Sequence, residues 1–554
     1  MRRISFSLPA RWLAAYALLA AAAASADDLR REPAVHALVG ARIVQAPGQV
    51  LDSGTLIIRD GLIEAVGAEI EPPADARIWQ SDDLTLYPGL IESFHLRDWP
   101  EKDGAPKAQA GHANGLVRPE RDMLLHAYDE AAFKKLREAG FTTAVLVPKA
   151  GLFRGASVLM NLGDGPVQGS VLARQVAQNA KLQVFQDFSE GYPASTMGAV
   201  ALFRQTLLDA RWHREAQAVF AKNPRQPRPR FSTALDALEA AVTGEQPMVL
   251  ESSDLHDTLR LAGLAREFGL NAVLVGTGDE YRRLEEIARA GLPMIVPIDF
   301  PKAPKVPEED DLSVSLEALR RWDRAPDNPR LLAEAGVDFV LSSHDLSDAK
   351  KIHAMAAKAV ERGYSADEVL AAFTTRPAER LGLSDRAGTL EAGKMANVIV
   401  ADGDLFRDDT AIRSLFIDGR RFEIREVEAP TIDPIGTWEV VAEAPDGSQT
   451  VTLVLTGTVD NLSGSVGTPL GSLPLDEAYV SGNTVEVSFN ATVLGLGTVT
   501  MSMTVDGESA TGSGTTADGP FEVTAERVAQ SETPELQNTD SQTRAGESGA
   551  EVKR

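Results

Sequence analysis

The chain has no cysteine among its 554 residues, and this absence limits the chemistry that its side chains can carry out. Thiolate zinc sites, a cysteine nucleophile and disulfides are all excluded. A metal ion would need His, Asp, Glu or a modified Lys as ligands. A nucleophile would have to be Ser, Thr, Lys, a carboxylate or an activated water. The His-Glu-x-x-His, Gly-x-Ser-x-Gly and phosphate-loop motifs are also absent, so the chemistries that they mark find no support.

The most suggestive polar residues follow apolar runs that are predicted to be buried strands. The run at residues 338–341 leads into Ser342-Ser343-His344-Asp345. Asp345 could instead be the N-cap of a helix over residues 348–360, because Asp is favoured at that position. His344 could be an ordinary loop residue. Lys149 follows another apolar run, and a solvated loop lysine is its simplest interpretation.

Short apolar runs alternate with amphipathic helical segments from Tyr87 onward. This alternation indicates parallel βα units, and one such domain of roughly 300 residues is most often a (β/α)8 barrel. A doubly wound sheet is the alternative, but no Gly-rich phosphate loop follows the early strands. The predicted strands lie at residues 143–148, 248–250, 272–275, 293–296 and 338–341, and predicted helices include residues 254–268 and 279–290.

Two further regions have the alternating pattern of antiparallel sheets. Residues 34–86 contain short strands and the hairpin signal Asp60-Gly61. Residues 434–528 predict a β-domain with one buried and one solvated face. No Lys or Arg occurs from Glu426 through Glu526, which excludes a basic binding patch there. Residues 529–554 are polar and aperiodic, which predicts a disordered tail.

The N-terminus has the organisation of a secretory signal peptide. Arg2 and Arg3 precede an apolar run, and Ala24-Ser25-Ala26 resembles a cleavage site, which predicts a signal over residues 1–26. A retained anchor is the alternative. We therefore expect an exported, periplasmic or extracellular protein with no membrane insertion after cleavage. The net charge of −25 argues against nucleic acid and anionic lipid as partners.

Two separated blocks of sequence resemble the metal-dependent amidohydrolases. The first includes residues 54–67 and Tyr87-Pro88-Gly89-Leu90-Ile91-Glu92, and the second includes residues 374–383 and 388–400. The resemblance covers roughly residues 34–425. It implies a TIM barrel over residues 87–386, flanked by a β-sandwich that residues 27–86 and 387–430 build together. The segment that starts at Gly191 is similar to a secreted, imidazolonepropionase-like subgroup, in which an appended β-domain is common.

Amidohydrolases hydrolyse C–N bonds with a metal-bound hydroxide, and the resemblance implies ligands at the C-terminal ends of barrel strands. The family pattern Asp-x-His-x-His after the first strand is degenerate here, because Phe94 and Leu96 stand at the two His positions. His95 lies between them and would need a local bulge to point the same way. By the resemblance Asp345 is the general base, and His95 and His344 are the candidate metal ligands, with zinc expected if a metal is bound.

Two functions remain open from the sequence. The first is a hydrolase of C–N bonds other than peptide bonds that uses metal-activated water, with Asp345 as base. The second is a catalytically inactive barrel that binds a small-molecule ligand or a partner in the periplasm, without a metal, since fold does not imply function. The sequence identifies neither the substrate nor the oligomeric state.

Overall fold

The computed structural model describes residues 35–99, 111–185, 191–304, 314–407, 410–424 and most of 431–528. The predicted signal peptide, residues 1–26, and the predicted tail, residues 529–554, lie outside the described residues. The chain divides into two compact units, Met1–Arg425 and Glu426–Arg554. Within the described part of the chain, no helix is long and apolar enough to cross a membrane.

The first unit is a mixed α/β structure. Its strands are β1 (Val35–Ala46), β2 (Gln49–Arg59), β3 (Leu62–Gly67), β4 (Arg77–Gln80), β5 (Thr85–Pro88), β6 (Leu90–Arg97), β7 (Phe141–Pro148), β8 (Phe153–Ala156), β9 (Val158–Asn161), β10 (Val171–Ala173), β11 (Gln178–Lys181), β12 (Met248–Glu251), β13 (Ala272–Val275), β14 (Met294–Pro297), β15 (Phe339–Ser342), β16 (Val398–Ala401), β17 (Ile412–Ile417) and β18 (Arg420–Glu423). Its helices are α1 (Glu130–Glu138), α2 (Val167–Ser170), α3 (Thr196–Lys222), α4 (Thr233–Asp236), α5 (Glu239–Thr243), α6 (Leu255–Phe268), α7 (Leu284–Ala290), α8 (Leu316–Arg324), α9 (Asn328–Glu334), α10 (Ile352–Glu361), α11 (Ala366–Phe373) and α12 (Thr375–Arg380). Short 3-10 helices lie at Met123–His126, Glu280–Arg283, Ala325–Asp327 and Ala349–Lys351.

The strands from the two ends of this unit form one eight-stranded sheet in the order β18-β17-β16-β5-β1-β2-β3, with β4 paired to β1. The sequence predicts two packed sheets here, and the structure joins them into one. The reason is β1, which carries three register shifts and pairs with β2 on one edge and with both β4 and β5 on the other. Such bulges bend a strand, so that different parts of it can pair with different neighbouring strands. Asp60 and Gly61 have positive φ angles of 51° and 83° in the predicted hairpin turn between β2 and β3.

The barrel has seven parallel strands, because β6 pairs in parallel with β7, and β11 through β15 pair in parallel with one another. The position between β7 and β11 is filled by β8 and β9, which run antiparallel to their neighbours. This differs from the predicted (β/α)8 barrel. The reason is the short connection from β7 to its partner β9, residues 149–157, since a parallel return requires a crossover of a dozen or more residues. Glycine is required at position 155, where a Cβ would lie 2.4 Å from the Arg121 carbonyl oxygen.

Alternate residues of the barrel strands pack on opposite sides, as expected for strands with period two. Val249, Ile295 and Val340 belong to an inner apolar cluster. Their neighbours, including Leu250 and Leu341, belong to a larger outer cluster shared with the helices. The helices have the predicted boundaries where cap residues define them: Asp254 accepts a hydrogen bond from the first turn of α6, and Gly269 ends that helix in a left-handed conformation.

A buried carboxylate links the first and last barrel strands. No ladder of paired residues joins β6 to β15 in the described ranges. Glu92 on β6 is fully buried. Its Oε1 accepts from Ser342 Oγ at 2.5 Å and from the Phe94 N–H at 2.9 Å. Its Oε2 accepts from the Ser343 N–H at 2.8 Å and from Ser343 Oγ at 2.6 Å. The Glu92 side chain therefore connects these two strands where a main-chain ladder does not.

The second unit is the predicted antiparallel β-domain, and its sheet closes into a barrel. Its strands are β19 (Gly436–Ala444), β20 (Gly447–Thr458), β21 (Asn461–Thr468), β22 (Gly471–Ser481), β23 (Thr484–Asn490), β24 (Thr498–Asp506), β25 (Ser509–Thr516) and β26 (Gly519–Arg527). Pairing of β19 with β26 closes the barrel and removes both edges. The predicted alternation is present, since Val485, Val487 and Phe489 of β23 are buried in the core of this second barrel.

Replacing Glu92 by glutamine should destabilise the first unit. The NH2 group of glutamine is a donor, and it would face the donor groups of Ser342 and Ser343. These groups lose a charged acceptor, which lowers the unfolding free energy by about 2–4 kcal/mol. Urea unfolding, with hydrogen exchange of peptides that cover β6 and β15, measures the loss. Glu285→Gln is the control, because Glu285 is 89% exposed and its pair with Arg289 is long, at 3.9 Å. Equal stability of the two variants would contradict the proposed role of Glu92.

Candidate active site

A polar cleft of about 640 Å³ lies at the C-terminal ends of the barrel strands. Lys181 and Glu251 are the last residues of β11 and β12, and Asp345 follows β15. Active sites of such barrels are found at this end. The residues lining the cleft are Lys181, Glu251, Ser252, Ser253, Thr277, Asp279, Arg282, Ser315, Glu317, Ala318, Arg321 and Asp345.

Three charged side chains form an ion cluster at this cleft, here called the Glu251 cluster: Arg154, Lys181 and Glu251. The Arg154 guanidinium binds Glu251 Oε2, and Lys181 Nζ lies 2.5 Å from Glu251 Oε1. Arg154 and Glu251 are almost fully buried, whereas the Lys181 side chain is 28% exposed. With two cations and one anion, the cluster carries a net charge of +1, and Lys181 is its most exposed member in the lining of the cleft.

Burial opposes the ionisation of Glu251, but the positive charges of Arg154 and Lys181 outweigh it and hold the pKa of this carboxyl below its usual value. Both Glu251 oxygens accept from cationic donors, and such charge-assisted hydrogen bonds are the strong ones. Glu251 is therefore an ionised residue whose hydrogen-bonding capacity is used within the protein.

Ion pairs and a buried glutamate fix the wall of the cleft. Arg282 binds Glu317 of α8 at 2.9 Å, and Arg321 of α8 binds Asp279 at 3.0 Å. Glu280 accepts from the Thr277 N–H at 2.6 Å, which holds the loop after β13. Burial raises the pKa of Glu280. These contacts fix α8 against the loop that follows β13.

Asp345 has the conformation and exposure of a side chain available to a ligand. Its φ angle is +70°, a left-handed conformation that is uncommon for residues other than glycine and recurs at functional sites. Its side chain is 60% exposed, and one oxygen lies 3.4 Å from His344 Nε2. Asp348 is the N-cap of the helix that follows, since it accepts from the Lys350 N–H. The alternative interpretation of Asp345 as that N-cap is therefore wrong.

The two histidines predicted as metal ligands lie near each other, on β6 and after β15. Burial, with the nearby charges of Arg97 and His344, lowers the pKa of His95 to about 4, so its ring is neutral near pH 7. A register shift, a local bulge, lies between Glu92 and His95. Even so, His95 pairs with Leu146 of the outer cluster, whereas Phe94 and Leu96 pack in the inner cluster. The His344 ring packs edge-on against Phe94, with centroids 5.0 Å apart.

The residues near the cleft do not fit the metal site that the resemblance implies. Glu92 stands at the position of the family aspartate, and four hydrogen bonds occupy its two oxygens. Glu251 is engaged by two cations, which would repel a third. Across the described ranges, no group of three or more His, Asp or Glu side chains is arranged to hold a metal ion.

Sequence reasoning missed the Glu251 cluster. Lys181 was not found because β11 reads Gln-Asn-Ala-Lys, a strand without an apolar run. Arg154 lies on the unpredicted antiparallel strand β8. One signal was available in the sequence. Glu251 directly follows a predicted strand, and Lys181 lies 70 positions before it, in a chain with no other acid–base motif. Lys149 is 58% exposed beside Asp98, as expected for a solvated loop lysine.

Removal of the Glu251 charge should destabilise the fold in a pH-dependent way. Glu251→Gln leaves the buried Arg154 without its counter-charge, which costs about 3–5 kcal/mol near pH 7. The folded pKa of Glu251 lies below the ordinary 4.5. As the pH falls, the unfolded chain therefore takes up the proton first, and the stabilisation is lost as the pH falls through the folded pKa.

Urea unfolding of both proteins between neutral and acidic pH measures this difference. The gap in unfolding free energy should be constant above the ordinary pKa of glutamate and should narrow below it. Glu317→Gln is the control, because Glu317 is 72% exposed in its pair with Arg282. A gap for Glu251→Gln that does not change with pH would contradict the assignment of Glu251 as an ionised group.

Comparisons with known proteins agree with this architecture. A model of the amidohydrolase family matches residues 319–428. The chain is 23% identical to a dihydroorotase of Anaeromyxobacter dehalogenans (strain 2CP-C) over 406 residues, which is 66% of this chain and 87% of that protein. It is also similar to the crystal structure of an amidohydrolase from Thermotoga maritima MSB8, with a TM-score of 0.57 and 20% identity over 70% of this chain and 99% of that one. The family match, the relative and the similar fold support membership of the amidohydrolase superfamily.

Proposed function

We propose that this protein hydrolyses a C–N bond, other than a peptide bond, in a small molecule bound at the mouth of the barrel. The observation that carries the proposal is Asp345, an exposed carboxylate in a left-handed conformation beside the cleft in an amidohydrolase-superfamily barrel. The dihydroorotase relative acts on a bond of this class, as its name indicates, and supports the assignment.

In this proposal Asp345 is the general base. Its carboxylate takes a proton from water, and the water oxygen forms a bond to the carbonyl carbon of the substrate. The carbon–nitrogen bond then breaks, the electron pair leaves with nitrogen, and the proton held by Asp345 is transferred to that nitrogen. His344, 3.4 Å from the carboxylate, orients Asp345. Ser252, Ser253 and Thr277 line the cleft and offer hydroxyl groups for binding the substrate.

The metal-activated water of the family is not a step in this proposal. If zinc were bound, it would supply a hydroxide near neutral pH. The described residues offer it no adequate ligand set, and His95 and His344 remain predictions as ligands. The export predicted from the signal peptide would place this hydrolysis in the periplasm or outside the cell.

A second candidate is the catalytically inactive barrel that binds a small molecule. The specific observation in its favour is that Glu92 and Glu251, the acids at the ends of β6 and β12, are engaged in internal contacts rather than free for chemistry. Asp345 is what distinguishes the two candidates, because the inactive barrel has no need of a base at this position.

Asp345→Asn should abolish hydrolysis with little effect on the fold. Asparagine tolerates the left-handed conformation but cannot accept the proton, so the rate should fall by about 10²–10⁴-fold. Amine or ammonia release from a panel of cyclic amides, ureas and N-acyl amino acids provides the measurement.

The matched control is Asp348→Asn. Asp348 lies three residues away and caps the next helix, and asparagine is an equally good N-cap. This variant should keep the wild-type rate. Equal rates for Asp345→Asn and the wild type would reject Asp345 as the base, and an inactive wild type across the panel would favour the binding protein.

A further inference from the structure

We propose that the Glu251 cluster is a built-in cationic centre that takes the place of a divalent metal. Lys181 is the group that contacts the substrate, and it stabilises the negative charge that develops on the carbonyl oxygen. The catalytic part of this inference rests on the proposed function. The anion-binding part, a cleft site for an oxyanion beside Lys181, stands independently of it.

The cluster has more positive than negative charge. Two cations share one carboxylate, so one positive charge has no counter-charge within the cluster. Arg154 is only 3% exposed and is fixed against Glu251. Lys181 is 28% exposed and lines the cleft, so the excess charge is presented there. The Lys181 ammonium has three donors and gives only one of them to Glu251 in this cluster, so an anion bound in the cleft could accept from the others.

An unpaired hydroxyl group follows Glu251 in the chain. Ser252 follows Glu251, lines the cleft and is only 7% exposed. Its Oγ is buried and has no hydrogen-bond partner among the described residues. Buried polar groups are nearly always paired, so this hydroxyl indicates a ligand atom that completes the site. An ammonium and a hydroxyl that belong to the lining of one cleft are the donors that an oxyanion requires.

The charges of the cluster oppose metal binding and supply the electrostatic effect that a metal would have. Both Glu251 oxygens already bind cations, and a divalent ion beside Arg154 and Lys181 would be repelled by both. When water adds to the carbonyl carbon, the π electron pair moves to the carbonyl oxygen. The Lys181 ammonium donates a hydrogen bond to that oxygen and stays protonated, while Asp345 holds the proton from water until nitrogen leaves with it.

The experiment uses the full chain with sulfate as the anionic probe. Binding is followed by calorimetry at ionic strength matched with sodium chloride, for the wild type, Lys181→Met, Lys181→Arg and the control Lys134→Met. Lys134 is 70% exposed on α1. Sulfate should bind the wild type and Lys134→Met equally and bind Lys181→Met about tenfold more weakly, the factor that the loss of about 1.4 kcal/mol gives. Lys181→Arg keeps the charge and should retain binding.

Metal content by mass spectrometry, after incubation with zinc or manganese and gel filtration, completes the test. We expect substoichiometric metal. One or more tightly held ions per chain, or sulfate binding that is equal in the wild type and Lys181→Met, would overturn the proposal.

The failure of this inference is distinguishable from the failure of the proposed function. If the amide panel is cleaved and a chelator abolishes the cleavage, the metal-free centre is wrong while the hydrolase assignment stands. If no amide is cleaved but sulfate binding depends on Lys181, the hydrolase assignment fails and the anion site stands. Cleavage that resists the chelator and is lost in Lys181→Met supports both.

Discussion

The hydrogen bonds of the Glu92 carboxylate constrain the whole mouth of the barrel. The first and last strands of the barrel have no ladder between them in the described ranges, and this one side chain connects them through Ser342 and Ser343. Four donors satisfy both oxygens of this buried carboxyl group. The same contacts place the segment that carries His344 and Asp345, because this segment follows Ser343 directly. The acid at the position of the family aspartate is here a structural element.

The Glu251 cluster also links strands through charged side chains, here among β8, β11 and β12. Removing water from three charges is unfavourable, and such groups persist only when each is held by good hydrogen bonds. Arg154 comes from the antiparallel strand β8, Lys181 from β11 and Glu251 from β12, so the cluster links three neighbouring strands. The unusual direction of β8 and the unusual composition of the site are thus connected. A parallel strand at that position, reached through a helical crossover, would place a different set of side chains at the cleft.

Much of the fold could be predicted from the sequence where burial determines the pattern. The strands ending at Glu251, Val275 and Ser342 have continuous apolar runs, and helix α6 is defined by Asp254 and Gly269. The candidate site was less accessible, because its residues come from short strands with polar inward-facing side chains, such as β11. Its assembly depends on pairings between strands about 25 and 70 residues apart, which local patterns do not encode. Asp348 is the N-cap, whereas the sequence also allowed Asp345. The two positions differ by three residues, and sequence patterns do not define helix boundaries that closely.

The composition of the C-terminal barrel has a consequence for handling the protein. Trypsin cleaves only after Lys and Arg, and between Arg425 and Arg527 the chain has neither. All eight strands of that barrel lie within this interval, up to the final residue of β26. A tryptic digest therefore cuts the chain on both sides of the barrel and leaves its strands covalently continuous, even when the barrel is unfolded. Proteases that cleave after acidic residues, which are frequent along these strands, are the reagents that distinguish its folded from its unfolded state.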